Sequence, residues 1–152
     1  MLRLCPALQL HPNFAMNTSR LQGKKVLIVD DDRDILSSIE LAMRAEGATT
    51  YTVTDGDAAL DAYNDGDPDA IVLDMMLPKR SGFLVLEKLK SQADAPIIVM
   101  VTANQGKRHM AYAESLGVDA YMVKPVPLMR LVDKVVQLLE QDADEHSEAI
   151  EA

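Results

Sequence analysis

The feature that most constrains the fold of this chain is a regular alternation of short apolar runs with amphipathic helical patterns. Five apolar runs have the length of strands, and each is followed by a segment with helical spacing. The predicted strands span residues 25–30, 49–53, 70–74, 96–102 and 120–123. Strands that alternate with helices through short connections form a parallel sheet covered by helices on both faces. The sequence therefore predicts an α/β fold with three layers.

The predicted helices carry apolar residues three and four positions apart, and several have recognisable ends. The first begins near Asp32 or Arg33, where an acidic residue can act as N-cap, and ends at Gly47. The remaining helical segments are residues 55–64, the segment with Phe83, Leu86 and Leu89 on one face, and residues 107–116 and 128–139.

The length of 152 residues is enough for one domain with a full core. Residues 1–22 contain two prolines and no regular apolar spacing, so we predict an N-terminal extension that is disordered or loosely packed, with Met16 as an alternative start. Residues 23–140 form the predicted domain. Residues 141–152 are mostly acidic and small, and are predicted to be a solvated acidic tail.

Composition narrows the range of partners. The net charge of −9 argues against nucleic-acid binding and gives no reason to expect a membrane partner. No apolar run approaches the roughly 18 residues of a membrane helix. The single cysteine, Cys5, excludes a disulfide within the chain and a cysteine-based metal site. These properties are compatible with a reducing compartment, and we expect a cytoplasmic protein.

Polar residues follow four of the predicted strands. They are Asp30 and Asp31 after the first strand, Asp74 after the third, Thr102 at the end of the fourth and Lys124 after the fifth. In an open parallel sheet, ligands bind beyond the carboxyl ends of the strands. The sequence therefore predicts that three carboxylates, a hydroxyl and an ammonium group lie together at one edge.

This set of groups is suited to phosphoryl chemistry. Carboxylates of Asp30, Asp31 and Asp74 are hard oxygen ligands of the kind that Mg²⁺ prefers. Lys124 and Thr102 can bind anionic oxygens, and an aspartate in such a setting can attack phosphorus to give an acyl phosphate. The neighbouring Asp32 and Asp34 are instead assigned to the cap and first turn of the helix.

Four segments in order give a resemblance to a known family. Residues 27–32, residues 73–78 with Gly82, residues 101–103, and the pair Lys124–Pro125 together resemble the receiver domain of two-component response regulators, of the stand-alone, chemotaxis-regulator type. The resemblance covers about residues 24–140. It implies a flavodoxin-like fold with five parallel strands in the order 2-1-3-4-5.

The resemblance also implies roles for residues. Asp74 is the expected phosphoacceptor, which takes its phosphoryl group from a histidine kinase or phosphotransfer protein. The expected Mg²⁺ ligands are Asp30, Asp31, Asp74 and the backbone carbonyl of Met76.

Three further roles come from the same resemblance. Lys124 is expected to pair with Asp74 and to precede a cis bond to Pro125, and Thr102 is expected to bond the phosphoryl group. Tyr121 occupies the aromatic switch position that follows Thr102.

The output that this resemblance implies is a changed binding surface and not an enzymatic reaction on a metabolite. The expected surface comprises the fourth helix, the fifth strand and the fifth helix, and it binds a downstream protein. Formation of a homodimer through the same surface is a further possibility. Lys107, Arg108, His109 and Tyr112 fall on the fourth helix.

Two alternatives stay open from the sequence alone. One is a degenerate receiver that acts as a constitutive interaction module. The other is a small phosphohydrolase with an aspartyl nucleophile, which is disfavoured because Met76 stands where a second carboxylate is needed.

Overall fold

A five-stranded parallel sheet with the order β2-β1-β3-β4-β5 forms the centre of the protein. The structure is a computed structural model, and it describes residues 19–103 and 106–151. The strands are β1 (Lys25–Val29), β2 (Thr49–Val53), β3 (Ala70–Leu73), β4 (Ile97–Thr102) and β5 (Ala120–Val123). The helices are α1 (Arg33–Ala45), α2 (Gly56–Gly66), α3 (Gly82–Lys90), α4 (Lys107–Ser115) and α5 (Leu128–Glu151). The predicted fold class and strand order are confirmed.

The three inner strands have unbroken apolar sequences because helices cover both of their faces. Every residue of β3 and β4 is buried, and β1 is buried from Val26 onward. The edge strand β2 is different: each of its residues is exposed or half-buried, and its threonines suit a strand that is partly open to solvent.

The sheet separates two apolar cores. On one face, residues of α1 and α5 such as Ile39, Met43, Leu131 and Val135 pack on the strands. On the other face, α2, α3 and α4 supply the packing, with Leu86 among the fully buried side chains. This arrangement fixes the carboxyl ends of the strands relative to one another.

Side-chain caps set the starts of three helices. Asp32 accepts hydrogen bonds from the backbone N–H groups of Asp34 and Ile35, which confirms its predicted role at the start of α1. Asp55 caps α2 in the same way, and Ser81 caps α3. Such caps satisfy N–H groups that have no partner within the helix.

The packed region begins earlier than the predicted boundary at residue 23. Leu21 is fully buried, and its N–H donates to the carbonyl of Glu46. Arg20 forms ion pairs with Glu46 at 3.0 Å and with Asp133 at 2.9 Å, which ties the segment to α1 and α5. The prediction of disorder is therefore wrong for residues 19–22. The rest of the predicted extension, residues 1–18, lies outside the described residues.

The C-terminal boundary is also different from the prediction. Helix α5 does not end at residue 139 but continues to Glu151, for a total of 24 residues. The predicted solvated tail is helical because alanine, glutamate and glutamine all favour helix, even where no core residue holds them. None of the helices within the described part of the chain is long and apolar enough to cross a membrane.

Candidate functional site

The parallel strands bring the predicted polar residues to one edge of the sheet. Backbone hydrogen bonds continue the strand ladders just past the strand ends. The N–H of Asp74 donates to Val29 at 3.0 Å, and the N–H of Lys124 donates to Thr102 at 2.8 Å. These bonds place the side chains of neighbouring strand ends beside one another, as the sequence predicts.

Three carboxylates form a cluster at this edge. Oxygens of Asp30, Asp31 and Asp74 all lie within 4.8 Å of one another. Asp30 and Asp74 are buried, and Asp31 is exposed. Among the described residues, Asp31 has no hydrogen-bond or ion-pair partner, so its oxygens remain available to a cation. The donor set consists of hard oxygens and fits a Mg²⁺ ion.

Lys124 lies between the two buried carboxylates. Its Nζ is 2.7 Å from Oδ2 of Asp30 and 3.4 Å from Oδ2 of Asp74. The pairing with Asp74 that the resemblance implies is present, but the shorter contact is to Asp30. The peptide bond between Lys124 and Pro125 is cis, which agrees with the expectation.

Burial and charge perturb the acid–base behaviour of this group. Burial raises the pKa of Asp74, and the negative charge of Asp30 raises it further, while the ammonium of Lys124 opposes both effects. Burial lowers the pKa of Lys124, but its hydrogen bond to Asp30 and the two nearby negative charges outweigh burial, so the net change is upward. Lys124 is therefore held in its charged form, whereas the charged form of Asp74 is disfavoured.

Asp74 is poorly compensated compared with Asp30. Oδ1 of Asp30 accepts the N–H of Asp32 at 2.9 Å, in addition to the short contact with Lys124. Within the described part of the chain, Oδ1 of Asp74 accepts a single long hydrogen bond, from the backbone N–H of Met76 at 3.4 Å. A carboxylate that is buried and weakly bonded is suited to gain from a cation or to react.

Thr102 and Tyr121 lie on neighbouring strands. Thr102 is fully buried at the end of β4, and Tyr121 is half-buried on β5. The register pairs Met100 with Tyr121. Since alternate residues of a strand face the same side, Thr102 and Tyr121 share one face of the sheet. Their joint switching role stays a prediction.

The loop between β3 and α3 begins directly after Asp74. The N–H of Gly82 donates to the carbonyl of Met75 at 2.9 Å. A Cβ at Gly82 would overlap the carbonyl oxygen of Asp74 and lie 2.8 Å from the Cα of Met75. Glycine is therefore required by the close approach of two backbones. The side chain of Met76 is exposed, and the role of its carbonyl stays a prediction.

Two contacts near the site escape prediction from the sequence. The first joins the β3–α3 loop to the start of α2 through Arg80 and Asp57, at 2.9 Å. The second is a ring cluster in which Phe83 of α3 stacks on His109 and meets Tyr112 edge-on. The sequence signals for them are a basic pair and single aromatic residues, both of which are common in proteins without such contacts.

The fold and the strand-end site define a class of α/β domain with an acidic centre at the carboxyl edge of its sheet. Comparison with known proteins gives the family. The sequence profile of the response regulator receiver domain matches residues 26–136. The chain therefore belongs to the response regulator receiver domain family.

Relatives and solved structures agree with this assignment. The chain is 34% identical over 123 residues to the sensory transduction protein RegX3 of Mycobacterium tuberculosis and of Mycobacterium bovis, which covers 81% of this chain and 54% of RegX3. The chain thus spans about half the length of the curated relatives it matches.

Two solved receiver domains superpose over most of the chain. A CheY-like receiver from Methanospirillum hungatei has a TM-score of 0.77 and 28% identity, and covers 80% of this chain and 98% of its own. The receiver domain of the Francisella response regulator 1452 has a TM-score of 0.74 and 28% identity, and covers 78% of this chain and 98% of its own. Receiver domains are phosphorylated on an aspartate in two-component signalling, bind Mg²⁺ through acidic residues, and interact with histidine kinases and downstream targets.

Proposed function

We propose that this chain is a Mg²⁺-dependent switch in which Asp74 accepts a phosphoryl group from a phosphohistidine donor. The observation that carries the proposal is the grouping of Asp74 with two further carboxylates within 4.8 Å and with the ammonium of Lys124. Asp74 is the member of this group that is both buried and weakly hydrogen-bonded. It is therefore the carboxylate that gains most from forming a new bond.

The proposed transfer is a single displacement at phosphorus. An oxygen of Asp74 forms a bond to phosphorus while the bond from phosphorus to the histidine nitrogen breaks. The imidazole leaves with the electron pair, and an acyl phosphate remains on the protein. Mg²⁺, when held by Asp30, Asp31, Asp74 and the carbonyl of Met76, would supply positive charge against the phosphoryl oxygens.

The chain's own side chains complete the centre. Lys124 is already close to Asp74, so a phosphoryl group on Asp74 would meet its ammonium without a large movement. The hydroxyl of Thr102, at the end of the next strand, would bond a second phosphoryl oxygen. Movement of Thr102, followed by Tyr121, would change the face formed by α4, β5 and α5, to which a downstream protein binds.

This function is a switch and not steady turnover of a metabolite. In the proposed centre Met76 follows Asp74 by two positions and offers no acid–base group, which separates the site from an aspartyl phosphohydrolase. The phosphorylated protein is the product, and its binding surface is the output.

A labelling experiment with radioactive phosphoramidate tests the proposal, because this small donor has the same phosphorus–nitrogen bond as phosphohistidine. Wild-type protein should take up a label that hydroxylamine removes, with Mg²⁺ but not with EDTA. Asp74→Asn should take up no label. Asp34→Asn, which changes an exposed acid in the first turn of α1, should be labelled like the wild type. A label that persists in Asp74→Asn, or steady release of phosphate from a phosphomonoester, would contradict the proposal.

A further inference from the structure

The β3–α3 loop, residues 75–81, carries the backbone that is proposed to complete the metal site. One end of the loop is fixed at Asp74, and the other end is fixed by the hydrogen bond from Gly82 to Met75. Between these ends the loop must place Met76 beside the carboxylates. Neither fixed end determines where the middle of the loop lies.

The first turn of α2 contacts that middle part through its backbone. The N–H of Gly56 donates to the carbonyl of Pro78 at 3.3 Å. Gly56 is buried, and a Cβ there would overlap the carbonyl oxygen of Arg80 and lie 2.8 Å from its carbonyl carbon. The two backbones therefore pack so closely that only glycine fits between them.

Two ion pairs join the same elements on the outside. Nε of Arg80 is 2.9 Å from Oδ1 of Asp57, and Nζ of Lys79 is 3.4 Å from Oδ2 of Asp55. Lys79 has a φ of 65°, a left-handed conformation that a side chain disfavours and that persists where surrounding contacts determine it. Exposed ion pairs contribute little on their own, so the packing at Gly56 is the stronger of the contacts.

We infer that the first turn of α2, through Gly56 and the pair of Asp57 with Arg80, positions the backbone of Met76 and thereby tunes the affinity for the divalent cation. None of these three residues is expected to touch the cation. They are positioning residues, and the inference rests on the proposed function because it assumes the Met76 carbonyl as a ligand. Substitution of residues that hold metal ligands in place commonly lowers the affinity for the metal by tenfold or more.

The test measures Mg²⁺ binding by isothermal titration calorimetry on the folded full-length chain. Gly56→Ala should weaken Mg²⁺ binding about tenfold, because Arg80 must move to admit the methyl group. Gly66→Ala is the matched control at the other end of α2, where the nearest neighbour of the new Cβ would be the ring of Tyr51, at an ordinary contact distance of 3.7 Å. A change of less than threefold in folded Gly56→Ala would overturn the inference.

Arg80→Gln gives an independent decision if Gly56→Ala fails to fold. Removal of a positive charge near the site should strengthen Mg²⁺ binding by direct electrostatics, whereas loss of the contact with Asp57 should weaken it. Weaker binding supports the inference, and equal or tighter binding overturns it.

A metal-free measurement separates this inference from the proposed function. In two-dimensional NMR spectra, the amide resonances of Met75 and Met76 should shift in Gly56→Ala and not in Gly66→Ala. Wild-type protein that binds no Mg²⁺ would refute the proposed metal site, and the amide shifts would still decide whether α2 positions the loop. Amide resonances of Met75 and Met76 that do not shift in Gly56→Ala would refute the inference about α2 and leave the proposed function unaffected.

Discussion

Replacing Asp74 by asparagine should make the metal-free protein more stable while it removes the proposed phosphoacceptor. Asp74 is only 5% exposed. Among the described residues its carboxylate accepts two long hydrogen bonds, one from the N–H of Met76 and one from Lys124, which it shares with Asp30. Asparagine has nearly the same shape and carries no charge. The substitution therefore isolates the electrostatic cost of this carboxylate.

The magnitude follows from the distances. With an effective dielectric constant of about 20, the attraction of Asp74 to Lys124 across 3.4 Å is worth about 5 kcal/mol, and repulsion from Asp30 within 4.8 Å costs at least about 3.5 kcal/mol. The exposed Asp31 adds about 1 kcal/mol of repulsion in water-like surroundings. The charges thus nearly cancel, and the cost of removing the carboxylate from water is left largely unbalanced. We expect Asp74→Asn to raise the free energy of unfolding by about 1–3 kcal/mol.

Urea unfolding in EDTA at neutral pH, followed by circular dichroism, measures this difference. Asp61→Asn, an exposed acid on α2, is the control and should stay within about 0.5 kcal/mol of wild type. Added Mg²⁺ should reduce the difference in free energy of unfolding between Asp74→Asn and the wild type, because an ion that binds only the folded state stabilises the wild type. An Asp74→Asn protein that is less stable than wild type in EDTA would refute the reasoning, since it would mean that the site compensates the carboxylate fully.

Two further predictions concern the N-terminal contact with the domain. Leu21→Ala should lower the free energy of unfolding by about 2–4 kcal/mol, because the side chain is fully buried, and a loss below about 1 kcal/mol in urea titrations would contradict this. The hydrogen bond from Arg20 lowers the pKa of Glu46, so this carboxylate stabilises the fold above its unfolded pKa and ceases to do so as the pH falls through its folded pKa. Glu46→Gln should therefore lower the free energy of unfolding by about 0.5–1 kcal/mol at pH 7 and by progressively less below pH 5. An equal loss of stability at pH 7 and below pH 5 would argue against the ion pair.

The strand-end site could be predicted because each piece has a local signature. Buried strands of a parallel sheet have continuous apolar sequences, so the residue that follows each run is identifiable. Since parallel strands end at the same edge, the positions of Asp30, Asp74 and Lys124 along the chain already imply that they meet. The structure adds what spacing cannot supply, namely that Lys124 lies closer to Asp30 than to Asp74.

The contacts that were missed depend on pairs far apart in sequence. Leu21 is one apolar residue in a segment without regular spacing, and the neighbouring Arg20 pairs with Asp133, 113 positions away. The C-terminal half of α5 was missed for the opposite reason: local helix propensity persists there without an apolar face to signal it. Pairing of Arg80 with Asp57 joins two exposed residues, each of which has many other possible neighbours.

The burial of the strands also implies a gradient of local stability around Asp74. Strand β3 lies between β1 and β4 and has no exposed residue, so its amides should exchange with solvent only when most of the molecule opens. Helix α4 buries only Ala113, and its N-cap position is Gly106, which has no side chain with which to cap the helix. Its amides should exchange through small openings that leave the sheet intact. Asp74 is thus attached to a slowly opening part of the described structure, whereas α4 should be displaced at a lower free-energy cost than the sheet.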